Sequence, residues 1–149
     1  MGMTANLPQV ALISGASRGI GAAVARKLFD DGWTVSLGMR HPSMPDWAAT
    51  APERVHLFAY DALDAASPTA WVADVAARFG RIDALVANAG ISIPKSVVEI
   101  SDDEMDQLLE VNVKAPRRLA AAAWQMLGAS GRGRVIVLGS LSGKRVKSA

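Results

Sequence analysis

Apolar runs of strand length alternate with helical patterns along the chain. Five runs predict strands, and most of them are nearly continuous in apolar residues, which is typical of strands covered on both faces. Strands that alternate with helices indicate a parallel sheet with helices on both sides. The sequence therefore predicts an α/β, doubly wound fold. The predicted strands are Val10–Ser14, Thr34–Met39, Val55–Ala59, Ala84–Asn88 and Arg134–Ser140.

Two of the predicted helices end at glycine. The first covers Ile20–Asp31 and is followed by Gly32, a natural residue just past a helix end. The second starts with Ser67 as N-cap and Pro68 as first helical residue, and it ends at Gly80. We expect each helix to bury one apolar stripe. The stripes are Ile20, Val24 and Leu28 in the first helix, and Val72, Val75, Ala76 and Phe79 in the second.

A third helical stretch covers Asp102–Leu127. Ser101 and Glu104 have the spacing of a capping box at its start. Pro116 must kink or break the helix, and it leaves the carbonyl of Asn112 without its helical partner. We expect Asn112 to lie on the inward face, where the freed carbonyl could hold a water; a kinked helix with a satisfied buried asparagine explains the pattern equally well. The apolar residues expected on that face are Met105, Leu108 and Leu109.

Composition narrows the class of protein. A chain of 149 residues that is 50% hydrophobic and 20% charged, with a net charge of +2, fits one globular domain. The absence of cysteine excludes disulfides, thiolate metal sites and cysteine nucleophiles. His41 and His56 do not form a metal-ligand spacing. The longest apolar stretch is far below the roughly 20 residues of a membrane span, so we expect a cytoplasmic protein that uses no metal and no membrane.

The end of the chain is basic. Residues 131–149 contain five basic residues and no acidic one. Such a segment is more often a solvated surface than a nucleic-acid site, and no aromatic run accompanies it, so we expect no nucleic-acid partner. The basic residues are Arg132, Arg134, Lys144, Arg145 and Lys147.

The strongest chemical signal is a glycine turn between the first strand and the first helix. Its glycines have the spacing GxxxGxG, and a strand, a glycine turn and a helix N-terminus together form a geometry that binds a dinucleotide diphosphate. A glycine-rich turn without a ligand is the alternative interpretation. The candidate residues are Gly15, Ser17, Arg18, Gly19, Ile20 and Gly21.

The end of the second strand predicts the preferred dinucleotide. In this fold an acidic residue about 20 positions after the glycines binds the ribose of NAD, whereas an arginine accommodates the 2′-phosphate of NADP. That region holds Arg40 and no carboxylate, and Arg18 could reach the same phosphate. We therefore expect NADP(H), although Arg40 alone would be an ordinary surface arginine. Gly38 weakens the strand unless backbone or ligand approaches closely there.

Four motifs together resemble those of the short-chain dehydrogenase/reductases. They are the glycine turn, Asn88-Ala89-Gly90 after the fourth strand, Asn112-Val113-Lys114-Ala115-Pro116 in a helix, and Gly139-Ser140 after the fifth strand. The resemblance implies a Rossmann-type fold and hydride transfer between a nicotinamide and an alcohol or carbonyl. It also implies that Asp61 and Ala62 lie along the adenine, and that Asn88, Ala89 and Gly90 brace the sheet near the cofactor. Ser140 would bind the substrate oxygen and Asn112 would belong to the catalytic tetrad.

Ser140 also has a simpler interpretation. A serine at the end of a strand often caps a turn, and Ser142 could compete for the proposed role. The residues Ile91, Ser92, Ile93 and Pro94 are expected to border the nicotinamide.

The resemblance breaks at the acid/base pair. The family's Tyr-x-x-x-Lys does not occur in the 149 residues: the one tyrosine, Tyr60, is not followed by a lysine at that spacing, and Lys144 and Lys147 have no tyrosine before them. Residues 135–138 would also form an exposed apolar edge if theirs were the last strand. We therefore expect residues 1–149 to be the N-terminal part of a longer enzyme, with later strands missing.

Two functions remain open. The leading expectation is an NADP(H)-dependent oxidoreductase acting on a small alcohol or ketone; the alternative is a non-catalytic NADP-binding sensor or scaffold. The family usually pairs subunits through the helix that Asn112–Leu127 resembles, so we expect a homodimer or homotetramer. Leu119, Trp124 and Leu127 are the expected apolar contacts.

Overall fold

A computed structural model describes residues 7–140 as a parallel sheet flanked by helices. The sheet has five strands in the order β3-β2-β1-β4-β5, and every neighbouring pair is parallel. The predicted doubly wound α/β fold is confirmed. The strands are β1 (Val10–Ser14), β2 (Thr34–Met39), β3 (Val55–Ala59), β4 (Ala84–Ala87) and β5 (Arg134–Val137), the last two shorter than predicted.

Helices connect the strands. None of those within residues 7–140 is long and apolar enough to cross a membrane. The α-helices are α1 (Gly19–Asp30), α2 (Ser67–Phe79), α3 (Asp102–Leu109) and α4 (Ala115–Ala129), with a π-helical segment (Glu110–Lys114) between the last two and 3₁₀ turns at Asp46–Thr50 and Pro52–Arg54.

The three central strands of the sheet, β1, β2 and β4, are buried on both faces. Side chains of a strand alternate between faces, so Ala11 and Ile13 of β1 join a core cluster with Phe29 of α1. Val10 and Leu12 join a second cluster beneath α2 and α4. This two-sided burial explains why the strands are almost continuously apolar.

The strand order reverses between β1 and β4. The chain runs outward from β1 to β2 and β3, and it then returns to pair β4 against the other side of β1. In open α/β sheets, ligands bind beyond the carboxyl ends of the strands at such a reversal. The residues that follow β1 and β4 therefore lie where this type of fold binds its ligands.

The predicted helix ends are largely confirmed. Gly32 and Gly80 adopt positive φ angles of 90° and 69°, and Ser101 and Glu104 form both hydrogen bonds of the capping box. The expectation that Ser67 caps α2 is wrong, because its hydroxyl accepts a hydrogen bond from the backbone N of Asp61 at 3.2 Å instead. Ser67 is itself the first residue of α2.

Two predicted apolar stripes need correction. In α1 the fully buried residues are Gly21, Ala25 and Phe29; the predicted Val24 and Leu28 are half-buried against the same core cluster, whereas Ile20 is 62% exposed. In α3 no residue is buried, and Met105 and Leu109 are exposed. α3 runs directly into the π-helical segment, and within residues 7–140 none of its residues belongs to either core cluster.

The predicted interruption before Pro116 is confirmed as a π-helical segment. Its closing bond runs from Ala115 N to the carbonyl of Glu110, five residues earlier. Inserted π turns of this kind are common next to prolines and at functional sites.

The apolar contacts expected between subunits are partly wrong. Leu119 and Leu127 are buried in the core of their own chain, whereas Trp124 is 68% exposed. At the other margin, the apolar side chains of β5 are exposed at the edge of the sheet, as expected: Val135, Ile136, Val137 and, just beyond the strand, Leu138.

Candidate functional site

A cleft of about 360 Å³ lies at the carboxyl ends of the central strands. It occupies the point where the strand order reverses. Ten of the twelve predicted cofactor residues line it: Gly15, Ser17, Arg18, Gly19, Arg40, Asp61, Ala62, Asn88, Ala89 and Gly90. The other lining residues are Gly38, Met39, Tyr60, Leu63, Ile91, Gln107 and Val111.

The remaining two predicted cofactor residues lie beside the cleft. Ile20 points largely into solvent, and Gly21 is buried behind the turn. A Cβ on Gly21 would lie 2.3 Å from the carbonyl oxygen of Gly15 and 2.5 Å from Nδ2 of Asn88. Glycine is therefore required at position 21 because the turn packs tightly against it, and not because a ligand contacts it.

The glycine turn is held open by backbone geometry and by β2. Gly15 and Gly19 have φ angles of 68° and 60°, which L side chains rarely adopt. The backbone N–H groups of Gly15 and Ala16 donate to the carbonyl of Gly38 at 2.9 and 3.3 Å. Open space surrounds the position where a Cβ of Gly19 would lie, so a ligand can approach the backbone there.

The N-terminus of α1 faces this space without a side-chain cap. Arg18 occupies the N-cap position in an extended conformation, and the first turn contains no acidic residue. Unpaired N–H groups and the helix dipole make such a terminus favourable for an anion.

Two arginines flank the cleft without protein partners. Arg18 and Arg40 are exposed, and neither guanidinium forms an ion pair or hydrogen bond with the part of the chain that the structure describes. Arg81, in contrast, forms two hydrogen bonds to the buried carboxylate of Asp83. Guanidinium groups left free at a cleft are suited to two-pronged contacts with a phosphate.

Ser14 and Asn88 join the ends of β1 and β4. Ser14 Oγ accepts hydrogen bonds from the backbone N atoms of Asn88 and Ala89, both at 3.0 Å. Asn88 Nδ2 donates to the carbonyls of Ser14 and Gly15, both at 3.1 Å. A Cβ on Gly15 would lie 2.9 Å from Cα of Ala89. These contacts fix the glycine turn against β4.

The opposite end of the cleft carries its one lining carboxylate. Asp61 Oδ1 accepts a hydrogen bond from the backbone N of Leu63 at 2.9 Å, which rigidifies the turn after β3. Ala62 and Leu63 lie beside it along the cleft wall.

Asn112 does not occupy the buried inward position that was expected. Its side chain is exposed, and its amide pairs with the backbone of Ile91: Oδ1 accepts from N and Nδ2 donates to O, both at 2.9 Å. The side chain of Asn112 therefore meets the segment after β4. A Cβ on Gly90 would lie 3.2 Å from Asn112 Oδ1.

Ion pairs stabilise the π-helical segment that presents Asn112. Glu110 contacts Lys114, at 3.1 Å between Oε2 and Nζ, and also Arg118. Hydrogen bonds from Arg118 and Lys114 lower the pKa of Glu110. The segment therefore stays tied to the first turn of α4.

Ser140 lies beyond β5, at the same edge of the sheet as the cleft, but it is not among the lining residues. Of the segment expected to border the nicotinamide, Ile91 lines the cleft and the next three residues do not. The competing Ser142 and the basic residues Lys144, Arg145 and Lys147 lie outside the described residues.

Five lining residues were not predicted as site residues: Met39, Tyr60, Leu63, Gln107 and Val111. Tyr60 directly precedes the predicted Asp61, so its position after β3 was a usable signal. Burial and the nearby Asp61 carboxylate raise the pKa of Tyr60 to about 12. Gln107 and Val111 come from the third predicted helical stretch, but from a different face than the predicted stripe of Met105, Leu108 and Leu109.

Residues 9–148 match the short chain dehydrogenase family. The chain belongs to this family. Short-chain dehydrogenases are oxidoreductases. The glycine turn at the uncapped start of α1 and the cleft at the strand reversal both lie within the matched residues.

The chain spans between about a third and two thirds of the length of the proteins that it resembles. It is 37% identical to agropine synthesis reductase of Rhizobium rhizogenes over 92% of its own length, which is 32% of the relative. A short-chain dehydrogenase structure from Streptomyces avermitilis superposes with a TM-score of 0.89 at 32% identity, covering 95% of this chain and 53% of that one. A metagenomic short-chain oxidoreductase in complex with NADP has a TM-score of 0.81 at 36% identity, covering 95% and 67%.

Proposed function

We propose that the protein binds NADP(H) in the cleft. We further propose that it acts as an oxidoreductase, which transfers a hydride between this cofactor and an alcohol or carbonyl substrate. The observation that carries the proposal is the glycine turn at the uncapped start of α1, beside two arginines that have no partner among residues 7–140. Family membership supports oxidoreductase chemistry.

The glycine turn fits the diphosphate of a dinucleotide. The positive φ of Gly19 and the open space beside it allow phosphate oxygens to reach the first N–H groups of α1. Ser17 lines the same wall and can donate a hydroxyl hydrogen. A side chain at position 15 would collide with Ala89, and one at position 21 would collide with Asn88. Glycine at both positions keeps the path of the phosphate to the turn open.

The two arginines fit a further phosphate. Arg18 at the N-cap of α1 and Arg40 directly after β2 both line the cleft, and the carboxylate among the described lining residues, Asp61, lies after β3 and bonds to its own turn. A 2′-phosphate would therefore meet cations rather than a competing acid. The similar metagenomic oxidoreductase was solved with NADP, which supports the same preference.

The rest of the cleft has roles that follow from the family resemblance. Asp61 and Ala62 would lie along the adenine, and Asn88, Ala89 and Gly90 would contact the cofactor from the β4 side. Bound NADP(H) would supply or accept the hydride. Ser140 would orient the substrate oxygen, and Asn112 would act in proton supply.

Tyr60 does not replace the family's acid/base tyrosine. Its ring is buried against Trp71, with centroids 5.0 Å apart, and its pKa is raised to about 12. A general base needs a pKa near the working pH, and the shift of Tyr60 is in the opposite direction. The residue that moves the substrate proton therefore lies elsewhere.

We propose that these 149 residues form the N-terminal, cofactor-binding part of a longer enzyme. The chain spans about half of the Streptomyces avermitilis protein that it resembles, and β5 leaves apolar side chains exposed at the sheet edge. Subunit pairing as a homodimer or homotetramer through the exposed face of α4, which carries Trp124, belongs to the same proposal. The cytoplasmic location stays a prediction.

A non-catalytic NADP sensor is the second candidate. The observation that favours it is that the one tyrosine in these 149 residues is buried and unsuited to proton transfer. Such a protein would bind NADPH as tightly but would not oxidise it.

Calorimetric titration of NADPH and NADH into the purified protein tests the binding proposal. We expect heat from both, with the lower Kd for NADPH; no heat from either would overturn the proposal. Loss of reduced-nicotinamide absorbance with a panel of ketones and aldehydes, measured on the full-length gene product, then separates the two functions. Turnover supports the oxidoreductase, and binding without turnover supports the sensor.

A further inference from the structure

The indole of Trp71 packs on one face of β2, directly over Gly38. Ser36 and Gly38 share that face because alternate residues of a strand point the same way. Trp71 is fully buried, and a Cβ on Gly38 would lie 2.5 Å from Cη2 and 2.7 Å from Cζ3 of the ring. The absence of a side chain at Gly38 is therefore explained by the indole, which rests directly on the strand backbone.

Hydrogen bonds fix the plane of this indole. Trp71 Nε1 donates to Ser36 Oγ at 2.7 Å, and Ser36 Oγ lies 2.7 Å from Nδ1 of His56. His56 Nε2 lies 2.9 Å from the carboxylate of Asp74 on the surface of α2. Because an indole can only donate, the Ser36 hydrogen is available for Nδ1, and Nε2 carries a proton toward Asp74. The four side chains form one continuous polar chain that ends on the indole.

Aromatic neighbours hold the ring from the side of β3. Phe58 stacks on it with an interplanar angle of 10° and centroids 6.0 Å apart. Tyr60, which lines the cleft, packs on it at 5.0 Å. The indole therefore cannot shift without disturbing one wall of the cleft.

The backbone beneath the indole connects to both phosphate-facing elements. The carbonyl of Gly38 accepts the N–H groups of Gly15 and Ala16 at 2.9 and 3.3 Å. Arg40 follows Gly38 by two residues at the end of the same strand. Displacement of Gly38 would move the glycine turn and the base of the Arg40 side chain together.

We propose that Trp71 is a positioning residue for the cofactor cleft: its contact with Gly38 sets the glycine turn and Arg40 for phosphate recognition. The inference rests on the proposed NADP(H) site and assigns a role to a residue that touches no cofactor. The hydrogen-bonded chain of Ser36, His56 and Asp74 holds the indole of Trp71 in place. Trp71 then affects the cleft through its contact with β2 and does not contact the ligand.

The test compares Trp71→Phe with Val75→Ala by titration of NADPH and NADH. Val75 is a fully buried residue one turn further along α2, in the same core cluster, so its truncation reports loss of core packing alone. We expect Trp71→Phe to raise the Kd for NADPH by at least about fivefold, within the usual range for coupled residues. The Kd for NADH should rise less, because only NADPH uses Arg40. Val75→Ala should change both values less than about twofold.

A paired substitution adds a rescue test. Gly38→Ala alone forces its Cβ into the indole and should weaken NADPH binding strongly. In the background of Trp71→Leu the added methyl group has room, so the double variant should bind NADPH more tightly than Gly38→Ala. If Trp71→Phe does not fold, Ser36→Ala, which removes only the hydroxyl that orients the indole, takes its place against the same control.

The outcomes separate this inference from the proposed function. If the folded wild-type protein binds neither coenzyme, both fall. If it binds NADPH, and Trp71→Phe has the same Kd as Val75→Ala or the double variant shows no rescue, only the positioning role of Trp71 is overturned.

Discussion

The side-chain amide of Asn112 pairs with the backbone of Ile91 through two hydrogen bonds of 2.9 Å. The π-helical segment presents the amide, and Ile91 belongs to the lining of the cleft. The pair therefore connects the helix interruption to the segment that follows β4. This contact gives Asn112 a structural reason for its position that does not require burial.

Replacing Asn112 tests this connection. Asn112→Ala removes both bonds, and we expect the free energy of unfolding to fall by about 1–2 kcal/mol because each net hydrogen bond contributes about 1 kcal/mol. The amide proton of Ile91 should also exchange faster with solvent. Asp106→Ala is the control, because Asp106 is exposed on α3 and its side chain has no partner within residues 7–140. Equal exchange at Ile91 in both variants would contradict the prediction.

The sequence predicted the sheet well because its central strands are buried on both faces and read as continuous apolar runs. Runs such as Val10–Ser14 can be recognised without knowing their neighbours, and all five strands begin at the predicted residue. Gly32 and Gly80 were predictable for a similar reason, since a positive φ at a helix end depends on local backbone sterics.

The helical stripes were harder to predict because periodicity does not show what covers a face. Met105, Leu108 and Leu109 have the spacing of a core stripe, but within residues 7–140 α3 joins neither core cluster, and Met105 and Leu109 are exposed. Leu119 and Leu127 have the same character and are buried. Only the three-dimensional arrangement separates the two cases.

Most of the candidate site could be predicted because its residues follow strands directly. The carboxyl ends of parallel strands meet at one edge, so the positions of Gly15, Arg40, Asp61 and Asn88 in the chain imply that they lie near each other. The roles of Ser36, His56 and Trp71 could not be predicted, since their hydrogen bonds join residues 20 and 35 positions apart.

Substitution of a glycine in the turn should damage packing and binding together. We expect Gly21→Ala to lower the free energy of unfolding by about 1–3 kcal/mol, as overpacking does, because its Cβ would lie 2.3 Å from the Gly15 oxygen. NADPH affinity should fall as the turn moves. Urea unfolding and calorimetry measure the two effects.

The matched control for that substitution is Gly128→Ala. Gly128 lies within α4, and no atom lies within 4 Å of its Cβ position. We expect the variant to be more stable by about 0.4–1 kcal/mol and to bind NADPH normally. A similar loss of stability at both glycines would show that the crowding around Gly21 is not the cause.

Removal of Arg40 should reduce the preference for NADPH over NADH. A charge-assisted hydrogen bond contributes about 1.5–3 kcal/mol, so Arg40→Ala should raise the Kd for NADPH by about 10- to 100-fold. The Kd for NADH should change little. Arg26→Ala serves as control, because Arg26 pairs with Asp30 on the exposed face of α1 and does not line the cleft. An unchanged ratio of the two Kd values in Arg40→Ala would remove the argument for NADP(H).

Tyr60 should make the fold sensitive to alkali. Burial and the Asp61 carboxylate raise its pKa from the usual 10.0 to about 12, so the folded chain keeps the phenol proton after the unfolded chain has lost it. The stabilisation is fully present below pH 10 and is lost as the pH rises through about 12. The stabilisation corresponds to up to about 3 kcal/mol.

Urea unfolding of the wild type and of Tyr60→Phe at a series of pH values measures this stabilisation. Tyr60→Phe keeps the ring against Trp71 and cannot ionise, so its stability should fall less steeply above pH 10; parallel curves for the two proteins would mean that the phenol proton is lost equally in both states.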